Sequence, residues 1–257
     1  VVAFFASIVA HELGHAFTAR RYGVNTESID LWALGGVARL DRESPTPKAD
    51  GLIALAGPAT SLLIGVTTFG AWLVTGSRHG VYDPLPWIEP LRVFIKECVE
   101  AGVPVAGICF GHQILAEALG GAATKSEKGW GVGVHEYTTT LQPDWMKAVP
   151  ERFAVRAFHQ DQVVTPGAGA TVLARSPFCE YAALAYGDPE APDAISLQPH
   201  PEFGPDFFSD LIEARAKTVL PQEVADAAQN GLGSPVDNAN WARAIVEYFR
   251  VIKERTR

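Results

Sequence analysis

The stretch from Gly51 to Ser77, GLIALAGPATSLLIGVTTFGAWLVTGS, contains no charged residue and limits what this chain can fold into. A run of this length can cross a bilayer as a helix. It can equally form a buried helix that leads into a buried strand, and its Gly, Pro and Thr content weakens it as a spanning helix. Both interpretations are open, and each places a structural boundary in this part of the chain.

Beyond about Ala71 the pattern becomes that of an α/β protein. AWLVTG predicts a buried strand, WIEPLRVFIKECVEAG an amphipathic helix that ends at Gly102, and VPVAGIC the next buried strand. A helix from about Gly111 to Leu119 follows. Alternation of strand and helix favours parallel pairing with crossover helices. Further strands are predicted for GVGVHEYTTT, TVLARS, AALAYG and AISLQ, and a final helix for about 238–253.

Composition excludes some classes of function. The 257 residues carry 21 basic and 29 acidic side chains, a formal net charge of -8. A nucleic-acid partner held by a basic surface is therefore not expected. Three cysteines, Cys98, Cys109 and Cys179, are too few and too scattered for a disulfide framework or a cysteine-based zinc site. They indicate a reducing compartment, and we expect Cys98 and Cys179 to be packing residues.

The segment VPVAGICFGHQILAEALG has the layout of a nucleophile at a sharp turn between a strand and a helix. A helix N-terminus there offers unpaired N–H groups and a partial positive charge, which stabilise a thiolate. Gly107 and Gly111 beside Cys109 let the backbone bend. The alternative is a buried structural cysteine. About ninety residues later, SLQPHPEFG supplies His200 as a candidate general base and Glu202 as a carboxylate to orient its imidazole.

Together GICFGHQ and QPHPEF resemble the signature pair of class I glutamine amidotransferases, over about Ala71 to Phe208. Between them AFHQDQV resembles the family's His-x-Asp segment, and TGSRHGVYD resembles its glycine loop. The resemblance implies a three-layer, flavodoxin-like α/β fold, with a mostly parallel sheet and helices on both faces. It also implies that glutamine is the substrate and that the site needs no cofactor.

Carried over residue by residue, the resemblance assigns the catalytic roles to Cys109, His200 and Glu202. The backbone N–H groups of Gly76 and Phe110 would form the oxyanion hole. Substrate contacts fall to three further residues, of which Gln113 lies in the first helical turn, and His159 and Asp161 shape the pocket wall. His112 is expected on a helix face turned away from the nucleophile, and His79 in an exposed loop.

A second motif, HELGH, lies near the start of the chain. In such a helix His11 and His15 lie one turn apart and can reach one zinc ion, while Glu12 can act as general base on its bound water. The alternative is a helix with two solvent-facing histidines. The surrounding sequence, 1–66, resembles the start of site-2 proteases, which are intramembrane zinc metalloproteases. That family takes a third ligand from a later aspartate, which we do not find.

The sequence thus resembles a chimera of two domains, 1–70 and 71–257. Members of the amidotransferase family begin with strands that are absent here, because protease-like sequence occupies their place. VVAFFASIV and LWALGGVARL are candidates to pair in their stead, and we consider this the less favoured outcome. We expect a cytoplasmic protein, with membrane association through residues 1–76 as an open alternative.

The leading functional hypothesis is a glutamine amidotransferase that passes ammonia to a synthase in another chain. A peptidase or hydrolase with the same Cys-His-Glu arrangement is a related alternative. Two other classes are a membrane metalloprotease fragment with zinc at His11 and His15, and a catalytically inactive interaction module.

Overall fold

A computed structural model of the protein describes residues 2–32, 35–42, 45–46, 48–54, 56, 72–216 and 218–255. The chain divides into two compact units, Val1–Trp72 and Leu73–Arg257. Among the described residues, no helix combines the length and hydropathy that a bilayer span requires. Most of the uncharged stretch 51–77, namely 55 and 57–71, lies outside the described residues.

The described part of the first unit contains a long helix, an antiparallel hairpin and a short helical stretch, 48–54. The elements are α1 (Val2–Arg21), β1 (Thr26–Trp32) and β2 (Gly35–Leu40). Beyond Arg21, the last helical residue, the chain turns at Gly23, whose φ of 76° suits glycine, and the Val24 N–H donates to the Ala19 carbonyl at 3.1 Å. VVAFFASIV is helical from its second residue on, its first residue not being described, and LWALGGVARL falls on the hairpin apart from its residues 33–34, which are not described either. In the described part of the chain the hairpin is a sheet of its own.

The second unit is built on a seven-stranded sheet with a two-stranded sheet beside it. The large sheet has the spatial order β3-β4-β11-β10-β9-β6-β7, and β5 pairs with β8. The strands are β3 (Trp72–Val74), β4 (Val105–Ile108), β5 (Ala122–Lys125), β6 (Gly131–Thr139), β7 (Arg152–His159), β8 (Asp161–Thr165), β9 (Ala170–Arg175), β10 (Ala183–Tyr186) and β11 (Ala194–Leu197).

The α/β class is confirmed, and the strand directions refine the expected sheet. β4 and β11 pair in parallel, as the strand–helix alternation predicts. The pairs of β11 with β10, β10 with β9, β9 with β6 and β6 with β7 are antiparallel. These later strands follow one another through short connections without a crossover helix, so they turn back on themselves. The parallel pairing therefore lies on the β3 side of the sheet.

Helices of the second unit pack on this framework. They are α2 (Ile88–Glu100), α3 (Phe110–Ala118), α4 (Pro205–Ala216), α5 (Gln222–Asn230) and α6 (Asn238–Arg255). A short 3₁₀ helix, Asp144–Met146, packs against α6 through Trp145 and Tyr248. An apolar cluster that includes Phe208, Ile212 and Ala228 joins α4 and α5 to Val132 of β6. Burial of such side chains supplies the main stabilising free energy of the unit.

Tyr248 ties the last helix to the sheet. Its side chain is fully buried, and its hydroxyl lies 3.2 Å from the Val105 carbonyl and 3.0 Å from the Asp193 carbonyl. We expect Tyr248→Phe to lower the free energy of unfolding by about 1–2 kcal/mol, because buried carbonyls lose their donor. Urea denaturation measures this loss. Val246→Ala, at an exposed position of the same helix, is the control and should change stability by less than about 0.5 kcal/mol.

Candidate active site

The turn that joins β4 to α3 places Cys109 at the N-cap of the helix, with φ 55° and ψ -103°. It is the one residue other than glycine with a positive φ among those that the structure describes. Such a conformation costs of order 1–3 kcal/mol and persists where the surrounding structure enforces it. Here the Cys109 N–H donates to the Leu197 carbonyl at 2.8 Å, and its own carbonyl accepts from the Gln113 N–H at 3.1 Å.

Two glycines allow this turn because the backbones around it lie very close together. A Cβ atom at Gly107 would be 2.4 Å from the Gly111 carbonyl oxygen. At Gly111 it would be 1.9 Å from the Val74 carbonyl oxygen, so α3 begins in direct contact with β3. No side chain fits at either position, which explains the glycines that frame the cysteine in the sequence.

His200 and Glu202 follow β11 and lie beside Cys109. Nδ1 of His200 is 2.6 Å from Oε1 of Glu202, and the two side chains are 4% and 10% exposed. The imidazole also lies close enough to Cys109 for the charge of its sulfur to act on the ring. Burial lowers the pKa of His200, but the charges of Glu202 and of the Cys109 thiolate raise it by more, to about 10. The structure therefore brings the three residues together and favours a protonated imidazole.

Residues predicted to contact substrate lie next to this cluster. The Gln113 side-chain amide donates to the Asp161 carbonyl at 2.9 Å and to Oε1 of Gln198 at 3.2 Å. Nδ1 of His159 donates to the same Asp161 carbonyl at 3.1 Å. The Asp161 carboxylate accepts from the Tyr82 hydroxyl, at 2.9 and 3.0 Å. Gln113 and His159 thus fix the main chain at Asp161. The Asp161 carboxylate is directed to the loop that contains Tyr82.

The two predicted oxyanion-hole residues are also close by. Phe110 is the first residue of α3, where backbone N–H groups have no partner within the helix. A Cβ atom at Gly76 would lie 3.2 Å from Cε1 of His200, so the loop after β3 passes beside the imidazole. Their role in catalysis stays a prediction.

Neither His112 nor the other two cysteines belong to this cluster. His112 is fully buried, and its Nδ1 lies 2.7 Å from the Ser196 hydroxyl, so it joins α3 to β11. Burial lowers its pKa to about 3. Cys98 and Cys179 are both buried, and burial raises the pKa of Cys98 to about 11 and that of Cys179 to about 12. Neither thiol ionises readily.

Sequence reasoning missed three groups that contact the cluster. The Phe158 carbonyl lies 4.0 Å from the sulfur of Cys109. The Phe203 ring stacks on the His200 imidazole, and the Arg156 carbonyl accepts the His200 N–H at 2.7 Å. The Phe in HPEF was a visible signal, whereas nothing in the sequence indicates the contacts of main-chain carbonyls.

In the first unit α1 presents the two histidines of HELGH to one another. Their Nε2 atoms are 3.1 Å apart, and Nδ1 of His15 donates to the Ile53 carbonyl at 2.6 Å. Burial, followed by the charge of His15, lowers the pKa of His11 to about 4, and burial lowers the pKa of His15. Neutral imidazoles whose Nε2 atoms converge can bind a metal, and two nitrogens on one tetrahedral zinc lie about 3.3 Å apart.

The described residues do not complete a zinc centre. Glu12 is buried, as a base within a protein cleft would be. However, no group of three or more His, Cys, Asp or Glu side chains in the described ranges could hold a metal ion. Catalytic zinc normally has three protein ligands and a water. Among the described residues, His11 and His15 therefore match two of the three protein ligands of such a site.

The model of peptidase family M50 matches residues 1–248. The chain belongs to peptidase family M50. Its similarity to individual proteins changes along its length. Rip3 of Mycobacterium tuberculosis, whose name describes a zinc metalloprotease, is 55% identical over 74 residues, 29% of this chain and 19% of Rip3. The chain therefore spans about a fifth of the length of this relative.

Most of the chain is similar to proteins of another kind. Gamma-glutamyl peptidase 3 of Arabidopsis thaliana is 27% identical over 190 residues, 71% of this chain and 75% of that protein. A glutamine amidotransferase of known structure from Thermotoga maritima superposes with a TM-score of 0.55 at 24% identity, over 70% of this chain and 78% of that one. This M50 chain therefore carries a class I glutamine amidotransferase fold, and the chimeric organisation is confirmed.

The raised pKa of His200 predicts how stability depends on pH. The folded pKa of about 10 lies above the reference value of 6.5, so protonated His200 stabilises the fold fully below about pH 6.5. This contribution is lost as the pH rises through about 10. We expect the free energy of unfolding, measured by denaturant titration, to decline over this range, and Glu202→Gln to make the decline shallower. Glu247→Gln, at a surface position, should keep the wild-type slope. An unchanged slope in Glu202→Gln would contradict the prediction.

Proposed function

We propose that the second unit of this M50 chain hydrolyses γ-glutamyl amide bonds through Cys109, with the side-chain amide of glutamine as substrate. The observation that carries the proposal is the placement of Cys109 at a positive-φ helix N-cap within reach of a buried His200–Glu202 pair. This arrangement supplies a nucleophile, a proton carrier and a group that orients the carrier.

The reaction would proceed in two halves. The Cys109 thiolate attacks the amide carbon, and protonated His200 gives its proton to the departing nitrogen, so ammonia leaves and a γ-glutamyl thioester remains. Water then attacks the thioester while His200 takes its proton, which releases glutamate and returns the thiolate with protonated His200. The raised pKa of His200 suits this cycle, because the imidazole then carries the proton that the departing nitrogen receives.

Glu202 would act through His200. Its carboxylate, 2.6 Å from Nδ1, fixes the ring orientation and leaves Nε2 for the cysteine and the leaving group. The oxyanion that forms on the substrate carbonyl would be bound by the N–H groups of Phe110 and Gly76. Each such donor can lower the barrier by about 3–4 kcal/mol.

Glutamine and γ-glutamyl peptides present the same bond to the cysteine and differ in the leaving amine. Free glutamine releases ammonia, which a synthase in another chain would accept. The similarity to gamma-glutamyl peptidase 3 supports the second substrate class, in which an amino acid leaves instead. Gln113, His159 and Asp161 would form the wall that holds the glutamyl portion common to both.

The first test is glutamate release from glutamine by the purified chain. We expect Cys109→Ala to lower the rate by at least about 10³-fold, because the covalent path disappears. Cys98→Ala, a substitution of a buried cysteine on α2, is the matched control and should retain wild-type activity. Parallel assays with a γ-glutamyl dipeptide show which leaving amine is preferred. A Cys109→Ala variant as active as wild type would refute the proposal. A folded wild-type chain that cleaves neither substrate would also refute it and would favour an inactive interaction module.

A second candidate function rests on the 3.1 Å separation of the His11 and His15 Nε2 atoms. We propose that these histidines supply two ligands to zinc and that Glu12 lies beside the ion. Bound zinc would activate water as a Lewis acid. Peptide hydrolysis by this unit would need a further ligand, so we propose metal binding alone for these residues.

Zinc content after dialysis tests this second candidate. The measurement uses the Cys109→Ala chain, because a thiolate and an imidazole also bind zinc. We expect measurable zinc in that chain and a loss of at least about tenfold in affinity on further substitution of His15 by alanine. His79→Ala, in the second unit, should leave the affinity unchanged. Equal zinc content with and without His15 would exclude the site.

A further inference from the structure

The imidazole of His200 is held on its face as well as at its edge. The Phe203 ring lies against it with a centroid separation of 3.9 Å and an interplanar angle of 7°. Glu202 meanwhile holds Nδ1 at the ring edge. The carboxylate fixes the direction of one nitrogen, and the stack fixes the plane of the ring. Any movement of Phe203 would therefore tilt the imidazole toward or away from Cys109.

Phe203 is itself fixed through its main-chain carbonyl. That oxygen accepts from Nη1 of Arg156 at 3.1 Å and from Nδ2 of Asn238 at 3.0 Å. Arg156 lies on β7 and Asn238 begins α6, so elements distant in sequence meet at one oxygen. Two donors from separate elements restrict the carbonyl more than one would, because neither can move without losing its bond.

Arg156 contacts both ends of the turn that contains these residues. Its guanidinium binds the Phe203 carbonyl, and its own carbonyl accepts the His200 N–H at 2.7 Å. The start of α6 is anchored to the same strand, since Asp237 and Ala154 exchange hydrogen bonds of 2.7 and 2.9 Å. Strand β7 thus holds both the turn and the start of α6, where Asn238 lies, through hydrogen bonds.

Burial of the Arg156 guanidinium costs desolvation free energy, which a purely structural role does not explain. It is 4% exposed, burial lowers its pKa, and no carboxylate within the described ranges forms an ion pair with it. Replacement of a buried charge by an apolar side chain of similar size is often neutral or stabilising. Fold stability therefore gives a weak reason for an arginine here, whereas control of the Phe203 carbonyl gives a direct one.

We infer that Arg156 and Asn238 are positioning residues, which hold the His200 imidazole in line with Cys109 by fixing the main chain of Phe203, whose ring stacks on the imidazole. This inference rests on the proposed cysteine chemistry. It assigns a function to a buried guanidinium that the proposed reaction does not otherwise use. Neither side chain needs to touch the substrate.

Steady-state kinetics on glutamine test the inference. Arg156→Met should lower kcat by about ten- to a hundredfold, as small displacements of reacting groups do, with KM within about twofold of wild type. Arg156→Lys, which keeps one N–H donor, should recover part of the loss. Arg152→Met on the exposed end of β7 is the matched control and should behave as wild type. Asn238→Ala should act in the same direction as Arg156→Met.

Thermal unfolding separates positioning from folding. We expect the Arg156→Met midpoint to be equal to or above that of wild type. A kcat that stays at the wild-type level would overturn the inference. A fall in kcat that is matched by a lower unfolding midpoint and a higher KM would overturn it as well.

A measurement without substrate keeps this test distinct from the proposed function. The rate of Cys109 alkylation by iodoacetamide, followed from about pH 5 to pH 9, reports the thiolate population and its pairing with His200. Arg156→Met should move this profile toward that of an unpaired thiol, and Arg156→Lys should move it back. If the wild-type chain releases no glutamate yet the profile shifts, the proposed function fails and the positioning role stands. An unshifted profile would reject the positioning role.

Discussion

The close contact between the start of α3 and strands β3 and β4 is the constraint on which the second unit depends. With Gly107 and Gly111 at the contact, backbone meets backbone without intervening side chains. The helix can then begin directly after the strand, and Cys109 takes the positive φ that the turn requires. The same turn binds the end of β11 through Leu197, so the strand that leads to His200 is fixed relative to the cysteine.

The outer edge of β7 supports the other half of the cluster. The carbonyls of alternate residues along this strand face the cluster. Ala154 accepts from the Asp237 N–H, Arg156 accepts from the His200 N–H, and the Phe158 carbonyl lies near the Cys109 sulfur. An edge strand leaves such groups unpaired, and proteins usually cover them. Here the covering groups belong to the cluster and to the start of α6. The sheet edge thereby sets the distances among side chains that come from three separate segments.

Local signals in the sequence were enough for the cysteine motif and for much of the secondary structure. Cys109, His200 and Glu202 carry their signal in short motifs, and strand candidates such as TVLARS and AALAYG overlap β9 and β10. Strand direction was harder, because periodicity reports which face is buried and says nothing about the partner strand. For that reason the antiparallel pairs from β11 to β7 were not anticipated.

Contacts to main-chain carbonyls were beyond sequence reasoning for a different reason. Arg156 and Asn238 meet at the Phe203 oxygen only after β7, α6 and the turn have packed together. An arginine within an apolar strand pattern predicts a surface position, since charged residues are seldom fully buried. The burial of Arg156 is a tertiary property, as is the pairing of His112 with Ser196. Short sequence motifs reveal candidate reactive residues more readily than the residues that hold them in place.

The family to which this chain belongs and the site with the more complete set of residues do not coincide. The reason is that the HELGH motif and the Cys109 motif differ in what they require from the rest of the structure. The cysteine, histidine and glutamate side chains lie together within residues 73–257, so the cysteine site draws its residues from one unit. A catalytic zinc ion needs ligands from several segments, and the described residues bring together only the two histidines of one helix. A short helical motif can therefore keep its local geometry while its chemistry depends on further segments. Similarity in such a motif indicates descent, and completeness of the surrounding site indicates where activity is to be sought.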